Sequence, residues 1–252
     1  MTFGSVSFPR PPPFRQGGTG NDALSPTPFC IDGDFAVGEL ERMAHACVHS
    51  LDAALDVVHL WREAGHGLEA IYVHGIAPCA RLLGHWWTCD NADFAHVTIA
   101  STNLQRLLHH LSPEFCAPGA DRPCGLSLLL ATEPQSQHTM GAYMLGEFFR
   151  RRGWAVQRLT PQDNEDVLRP LRGDWFDAVG LSVSTGRQMK ALRDLLPRLR
   201  SESPNDRLCV LVGGPLAHAD PDALQMQGVD LVGGSALETV NALHELATVR
   251  KN

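Results

Sequence analysis

The chain has 252 residues, of which 44% are hydrophobic and 19% are charged, and its formal net charge is −7. These values are typical of a folded protein with one large domain or two small ones. The acidic balance argues against a surface for duplex DNA, which needs clustered lysine and arginine, and no stretch is apolar enough to span a membrane. The seven cysteines form no CxxC pair, so we expect reduced thiols, no zinc site and a cytoplasmic location.

Two segments have the composition of irregular chain. Residues 1–33 combine a proline triplet, paired glycines and polar turn-forming residues without periodicity, which predicts a disordered tail. Residues 113–124, PEFCAPGADRPC, are marked by proline and cysteine and predict a linker between two domains.

Between these segments, residues 34–112 show helical periodicity, because apolar residues recur there at spacings of three and four. The first stretch predicts one long helix or two helices with a break near 49–51. A later stretch should be kinked at Pro78, and Asp93 is the predicted N-cap of the last helix. This region therefore predicts a bundle of roughly four helices.

Residues 125–252 alternate short apolar runs with helical patterns. Five runs predict strands, namely GLSLLLAT, WAVQRL, FDAVGLSVS, RLCVLVGG and VDLVGG. The helical patterns lie near 139–152, 162–170, 187–201, 220–227 and 235–249. Continuous apolar runs are typical of strands covered on both faces, so this half predicts a doubly wound, five-stranded parallel sheet with a Rossmann-like α/β fold.

Three polar or glycine-rich elements follow strands of this predicted sheet. They are the loop SQHTMG at 136–141, the stretch SVS at 182–184 and the glycine pair at 213–214. Because the carboxyl ends of parallel strands share one edge, we expect the three elements to converge on one crevice. Each element alone also has a plainer explanation, as a turn, a strand end or a tight connection.

The spacing of these elements resembles that of the cobalamin-binding domain family, whose pattern is an Asp-x-His-x-x-Gly loop, a Ser-x-Leu strand end and a Gly-Gly turn. The resemblance implies that His138 ligates cobalt from below, as neutral imidazole suits a borderline transition metal. It also implies that the nucleotide tail of the cofactor passes between the serine strand and the glycine turn, where absent Cβ atoms leave room. The cofactor-binding residues implied in this half are Ser136, His138, Thr139, Gly141, Ser182, Ser184, Gly213 and Gly214.

Two positions depart from the family pattern. Ser136 stands where the family has the aspartate that hydrogen-bonds the distal nitrogen of the ligand, and Ser184 stands where it has leucine. A carboxylate beside the ligand raises the basicity of the imidazole and fixes its tautomer. Serine therefore implies a weaker bond, unless Glu133 takes over, and it disfavours proton-coupled redox cycling.

The helical half resembles the four-helix caps that precede cobalamin-binding sheets. The segment at 82–101, LLGHWWTCDNADFAHVTIAS, is similar to the cap of light-sensing, adenosylcobalamin-dependent transcription regulators. Trp87 matches their cofactor-covering tryptophan, whereas their following Glu-His pair falls on Val97 and Thr98. Core packing is the plainer role for the tryptophan. The cap residues that the resemblance assigns to the upper face of the cofactor are Trp87, His74 and His85.

The whole chain resembles the AerR/PpaA family of cobalamin-binding antirepressors that govern photosystem genes. The basis is the tail, the helical cap, the SQHTMG loop and the acidic charge. The resemblance implies a non-enzymatic, light- or redox-responsive regulator that binds hydroxo- or adenosylcobalamin. Its implied partner is a DNA-binding repressor of CrtJ/PpsR type, and it would not bind specific DNA itself. The alternatives are a corrinoid shuttle protein of a methyltransferase system and a haem sensor on the same sheet.

Overall fold

The computed structural model describes residues 35–88, 93–120, 122–132, 139–184, 186–214, 216–217, 224 and 227–251. The predictions for the tail at 1–33, for Ser136 and for His138 lie outside these residues. Among the helices of the described ranges, none combines the length and apolar character that a membrane crossing requires.

The helices are α1 (Val37–His49), α2 (Leu51–Glu63), α3 (Leu68–Ala70), α4 (Ala77–Thr88), α5 (Phe94–Ala120), α6 (Met140–Arg151), α7 (Asn164–Gly173), α8 (Gly186–Glu202) and α9 (Ala236–Lys251), with a π-helical turn (Ile71–Ile76) joining α3 to α4. The strands are β1 (Ser127–Thr132), β2 (Ala155–Leu159), β3 (Ala178–Ser182), β4 (Cys209–Gly213) and β5 (Leu231–Val232).

The N-terminal helices form the bundle that the periodicity predicts. α1 and α2 are separate helices because Ser50 has extended backbone geometry, and its Oγ accepts a hydrogen bond from Ala53 N at 3.1 Å. Pro78 is the second residue of α4, two positions after the π-helical turn ends at Ile76, and its missing N–H interrupts regular helical bonding there. Asp93 Oδ1 accepts a hydrogen bond from His96 N at 2.8 Å and caps α5, as predicted.

α5 is longer than the sequence suggests, since it continues through Pro113 and Pro118 to Ala120. The linker predicted over 113–124 is therefore wrong for residues 113–120. Both prolines are exposed, whereas Phe115 between them is fully buried, and Arg151 Nη1 donates a hydrogen bond to its carbonyl at 2.7 Å. Tertiary packing here outweighs the cost of about 3 kcal/mol for each proline inside a helix.

The predicted fold class is confirmed, because all five strands form one parallel sheet in the order β2-β1-β3-β4-β5. α6 and α9 cover one face together with the bundle, and α7 and α8 cover the other. β1, β3 and β4 are buried along most of their length, whereas β2 is exposed or half-buried throughout. β2 lies at the edge of the sheet, so full burial was not to be expected there.

α5 runs parallel to α6 and thereby fixes the bundle relative to the sheet. The rings of His109 and Tyr143 lie 4.5 Å apart, and those of Phe115 and Phe148 lie 5.0 Å apart. Tyr143 lies three residues after the start of α6, so its contact with His109 places that start beside residue 106 of α5. α6 begins beyond the carboxyl end of β1, so residues 94–106 extend about 18 Å past that end of the sheet.

We expect Gly75→Ala to destabilise the bundle and Gly84→Ala not to do so. A Cβ on Gly75 would lie 2.7 Å from Cζ3 of buried Trp61, and overpacking of this kind costs about 1–3 kcal/mol. A Cβ on Gly84 would meet nothing within 4 Å, so alanine there should stabilise the helix by up to about 1 kcal/mol. Urea unfolding followed by circular dichroism measures both changes, and equal effects would contradict this packing.

Candidate functional site

Three small or polar residues line up at the carboxyl edge, which is the edge of the sheet where its strands end. Thr132 pairs with Ser182 in the ladder, and Ser182 pairs with Gly213. Leu130 lies two positions before Thr132 in β1, and Leu211 lies two positions before Gly213 in β4. Both leucines belong to the core beneath α6 and α9. Side chains of a strand alternate between faces, so this row of three residues also faces α6 and α9.

Gly213 leaves open space in this row, since a Cβ built on it would meet no atom within 4 Å. One row deeper, a Cβ on Gly180 would lie 2.8 Å from Leu130 Cδ1 and 3.4 Å from Leu211 Cδ2. The sheet face is therefore open at Gly213 and filled by leucine side chains one row below. We call the open space at Gly213, together with the adjoining positions of Ser182 and buried Thr132 in the same row, the edge groove.

Gly214 is glycine for a different reason. Its φ is +99°, and a Cβ on it would lie 2.3 Å from the carbonyl oxygen of Val183. Val183 N in turn donates a hydrogen bond to the Gly213 carbonyl at 2.8 Å, which carries the pairing of β3 and β4 beyond the strands. Gly214 thus allows the close turn that holds the edge groove open.

Thr132 carries a hydroxyl without a partner. The residue is 5% exposed, and within the described ranges its Oγ1 is the buried side-chain polar atom that makes no hydrogen bond. Buried polar groups are normally paired, and an unpaired one costs about 1–3 kcal/mol. Sequence reasoning missed Thr132, because threonine at the end of an apolar run is an ordinary strand residue and its position beside Ser182 depends on the register.

The segment with Ser136 and His138 connects two points at this edge, since the chain leaves β1 at Thr132 and enters α6 at Met140. Thr139, at the N-cap position of α6, is half-buried and its side chain makes no capping hydrogen bond. Gly141 is exposed, with open space around a Cβ. Ser184, just beyond β3, is half-buried. The predicted residues of the sheet half that the structure describes thus belong to elements that meet at one edge.

Trp87 and Phe94 form an exposed aromatic pair where α4 ends and α5 begins. Their ring centroids lie 5.4 Å apart, and they are 49% and 68% exposed. This pair is on the part of the bundle that extends past the carboxyl edge, which we call the outer end of the bundle. The predicted cofactor-covering tryptophan therefore presents its ring to solvent on the side of the sheet where the edge groove opens.

The two predicted cap histidines are not brought together. Tyr72 stacks on Phe115 at 4.0 Å, so the helical segment from α3 to α4 runs antiparallel to α5. His74 lies two residues from Tyr72, whereas His85 lies two residues from Trp87 at the outer end. Roughly 16 Å of helix separates the two histidines, and both are half-buried.

His45 is a further candidate for a metal ligand at the outer end of the bundle, and the sequence alone did not identify it. Its ring lies 5.1 Å from that of Trp86. Burial lowers the pKa of His45, with Glu41 acting in the opposite direction, which favours the neutral imidazole, the form that has a lone pair for a metal. Its spacing in α1 is that of an ordinary helical histidine, so no sequence signal distinguishes it.

The open groove and the unpaired hydroxyl fit the polar tail of a bound cofactor, and the aromatic pair fits a large flat ring above it. Residues 126–244 match the family model described as B12 binding domain. The structure is similar to that of the monomethylamine corrinoid protein of Methanosarcina barkeri, with a TM-score of 0.68 and 16% identity, over 83% of this chain and 98% of that one.

The sequence is also 33% identical over 172 residues to a protein of Rhodobacter capsulatus named "uncharacterized 20.5 kDa protein in bchF-crtJ intergenic region". The match covers 68% of this chain and 89% of that protein. This chain therefore belongs to the family of that Rhodobacter protein, and its match to the B12 binding domain implies a corrinoid cofactor.

Proposed function

We propose that this chain is a cobalamin-dependent antirepressor, which acts on a DNA-binding repressor of CrtJ/PpsR type and so controls photosystem genes. The observation that carries the proposal is the 33% identity to the Rhodobacter protein, whose name assigns it to the region between bchF and crtJ. The resemblance of the SQHTMG loop and the helical cap to the AerR/PpaA family supports the same function.

Residues of both halves would hold the cofactor. His138 would offer a neutral imidazole to cobalt, the edge groove would take the nucleotide tail, and Trp87 would cover the upper face. Cobalamin would supply a cobalt centre whose ligation responds to light and redox state. Ser136 cannot accept the ligand proton as a carboxylate would, which favours a lasting ligation state over repeated redox cycling.

The outer end of the bundle is the surface at which a repressor would bind the cofactor-loaded and the cofactor-free protein with different affinities. A ligand shifts a partner's binding only through a difference in affinity between two states. Ordering of Trp87 over the cofactor would change the exposure of the aromatic pair, and Phe94 would change with it. Trp61 does not contribute to this surface, because it is 4% exposed and its ring packs against that of Phe35, with the ring centroids 4.3 Å apart.

A corrinoid shuttle protein of a methyltransferase system is the second candidate, and the likeness in fold to the Methanosarcina protein favours it. Such a protein must cycle its cobalt, for which the missing aspartate is a disadvantage. A haem sensor is the third. The absorption spectrum of the purified protein separates corrin bands from a haem Soret band, and transfer of a methyl group to a small acceptor would favour the shuttle.

The antirepressor mechanism predicts that protein loaded with hydroxocobalamin binds a CrtJ/PpsR-type repressor more tightly than apo protein. A tenfold difference in Kd corresponds to about 1.4 kcal/mol of coupling, which is typical of regulation. Titration of labelled protein against the repressor, with and without cofactor and in light and dark, measures it. Equal Kd values in all states would eliminate the mechanism. Trp87→Ala should reduce the difference between the states.

His138→Ala should abolish ligation of the cobalt from below. We expect the absorption spectrum to lose the histidine-ligated, base-off form and the affinity for cobalamin to fall at least about tenfold, as on removal of a metal-binding interaction. His110→Ala is the matched control, because His110 is an exposed histidine of α5. An unchanged spectrum with unchanged affinity would disprove the ligand assignment.

Gly213→Val should block the edge groove without disturbing the fold. The side chain would enter space in which the protein has no atom within 4 Å of the new Cβ, so we expect a loss of cobalamin affinity at little cost in stability. Gly173→Val is the control, because Gly173 is equally open and ends α7, far from the carboxyl edge. Isothermal titration and thermal melting measure the two effects, and retained affinity in Gly213→Val would show that the tail lies elsewhere.

A further inference from the structure

We propose that Thr132 is a specificity-determining residue, whose hydroxyl hydrogen-bonds the nucleotide tail of the cofactor and makes the site select complete cobalamins over corrinoids that lack a nucleotide. The inference rests on the cobalamin-binding part of the proposed function and is independent of the repressor.

Within the part of the chain that the structure describes, no group of the protein hydrogen-bonds the Thr132 hydroxyl. Thr132 is paired with Ser182 in the parallel ladder, and this backbone pairing does not involve its side-chain hydroxyl. Its Oγ1 has no partner within the described residues, although the side chain is buried. Valine has nearly the same shape and would carry no such penalty. The unpaired hydroxyl therefore lowers the stability of the folded chain. A hydrogen bond to a bound polar group would remove this loss.

The Thr132 hydroxyl lies at the carboxyl edge of the sheet. Thr132 is in the row of the edge groove, and the opening at Gly213 is two strands away, which is about 10 Å. Leu130 and Leu211 fill the next row, so the groove ends there on apolar side chains. Thr132 and Ser182 are thus the hydroxyl-bearing residues of the row that forms the groove.

The nucleotide tail of a cobalamin has the polar groups that this hydroxyl can bind. A nucleotide tail carries a phosphate, ribose hydroxyls and base nitrogens, and a threonine hydroxyl both donates and accepts hydrogen bonds. The corrin ring itself is too wide for a groove of two strand spacings. The polar group that Thr132 meets therefore belongs to the tail, so a corrinoid without a tail gains nothing from the hydroxyl.

The test compares Thr132→Val and Thr132→Ser in the full chain, with hydroxocobalamin and with dicyanocobinamide, which has no nucleotide. We expect Thr132→Val to weaken hydroxocobalamin binding about tenfold, the worth of one hydrogen bond in a buried site. Its affinity for dicyanocobinamide should equal that of wild type. Thr132→Ser should retain most of the hydroxocobalamin affinity.

Thermal melting of the apo proteins separates this role from a structural one, since Thr132→Val should melt no lower than wild type. Thr248→Val is the control, because the Thr248 hydroxyl is exposed and already donates to the His244 carbonyl at 2.7 Å. Equal losses for both corrinoids, or unchanged hydroxocobalamin affinity, would overturn the inference while leaving cobalamin binding intact. Failure of wild type to bind either corrinoid would overturn the cofactor assignment and this inference together.

Discussion

The contact between α5 and α6 is the constraint on which the rest of the molecule depends, because it sets the position of the bundle relative to the sheet. At its centre Glu147 is fully buried, receives a hydrogen bond from Cys116 Sγ at 3.1 Å, and pairs with Arg158 at 3.2 Å. Burial and the bond to Glu147 raise the pKa of the Cys116 thiol to about 12, so it remains a donor. Removing one partner of a buried charge is strongly destabilising. This anchor lies well below the outer end of the bundle, which leaves the aromatic pair there available to a ligand.

At the carboxyl edge, stability and binding are assigned to different residues. Gly214 is required by its positive φ and by the close approach of Val183, whereas Gly213 faces open space. Similarly, Leu130 packs into the core, whereas Thr132, two residues further along the same face, bears an unpaired hydroxyl. The fold thus supplies a rigid floor, and the last row above it carries the features that a ligand can use.

The parts of the structure that local patterns determine could be predicted from the sequence. The five strands, the cap at Asp93 and the break at Ser50 follow from periodicity and capping chemistry. The end of α5 could not be predicted, because Pro113 and Pro118 dominate the local signal while packing on α6 decides the outcome. The role of Thr132 depends on strand register, and the separation of the cap histidines depends on helix direction. Neither of these is encoded in a short stretch of sequence.

Hydrogen–deuterium exchange of the protein with and without hydroxocobalamin tests most directly that the cofactor is held between the carboxyl edge and the outer end of the bundle. We expect protection on binding at residues 139–145, 182–184 and 211–214, together with 85–88 and 93–99. Residues 122–127 and 203–208, at the opposite edge of the sheet, should not change. Stoichiometric binding with protection only at that opposite edge, or in the sheet without any change in the bundle, would contradict this placement of the cofactor.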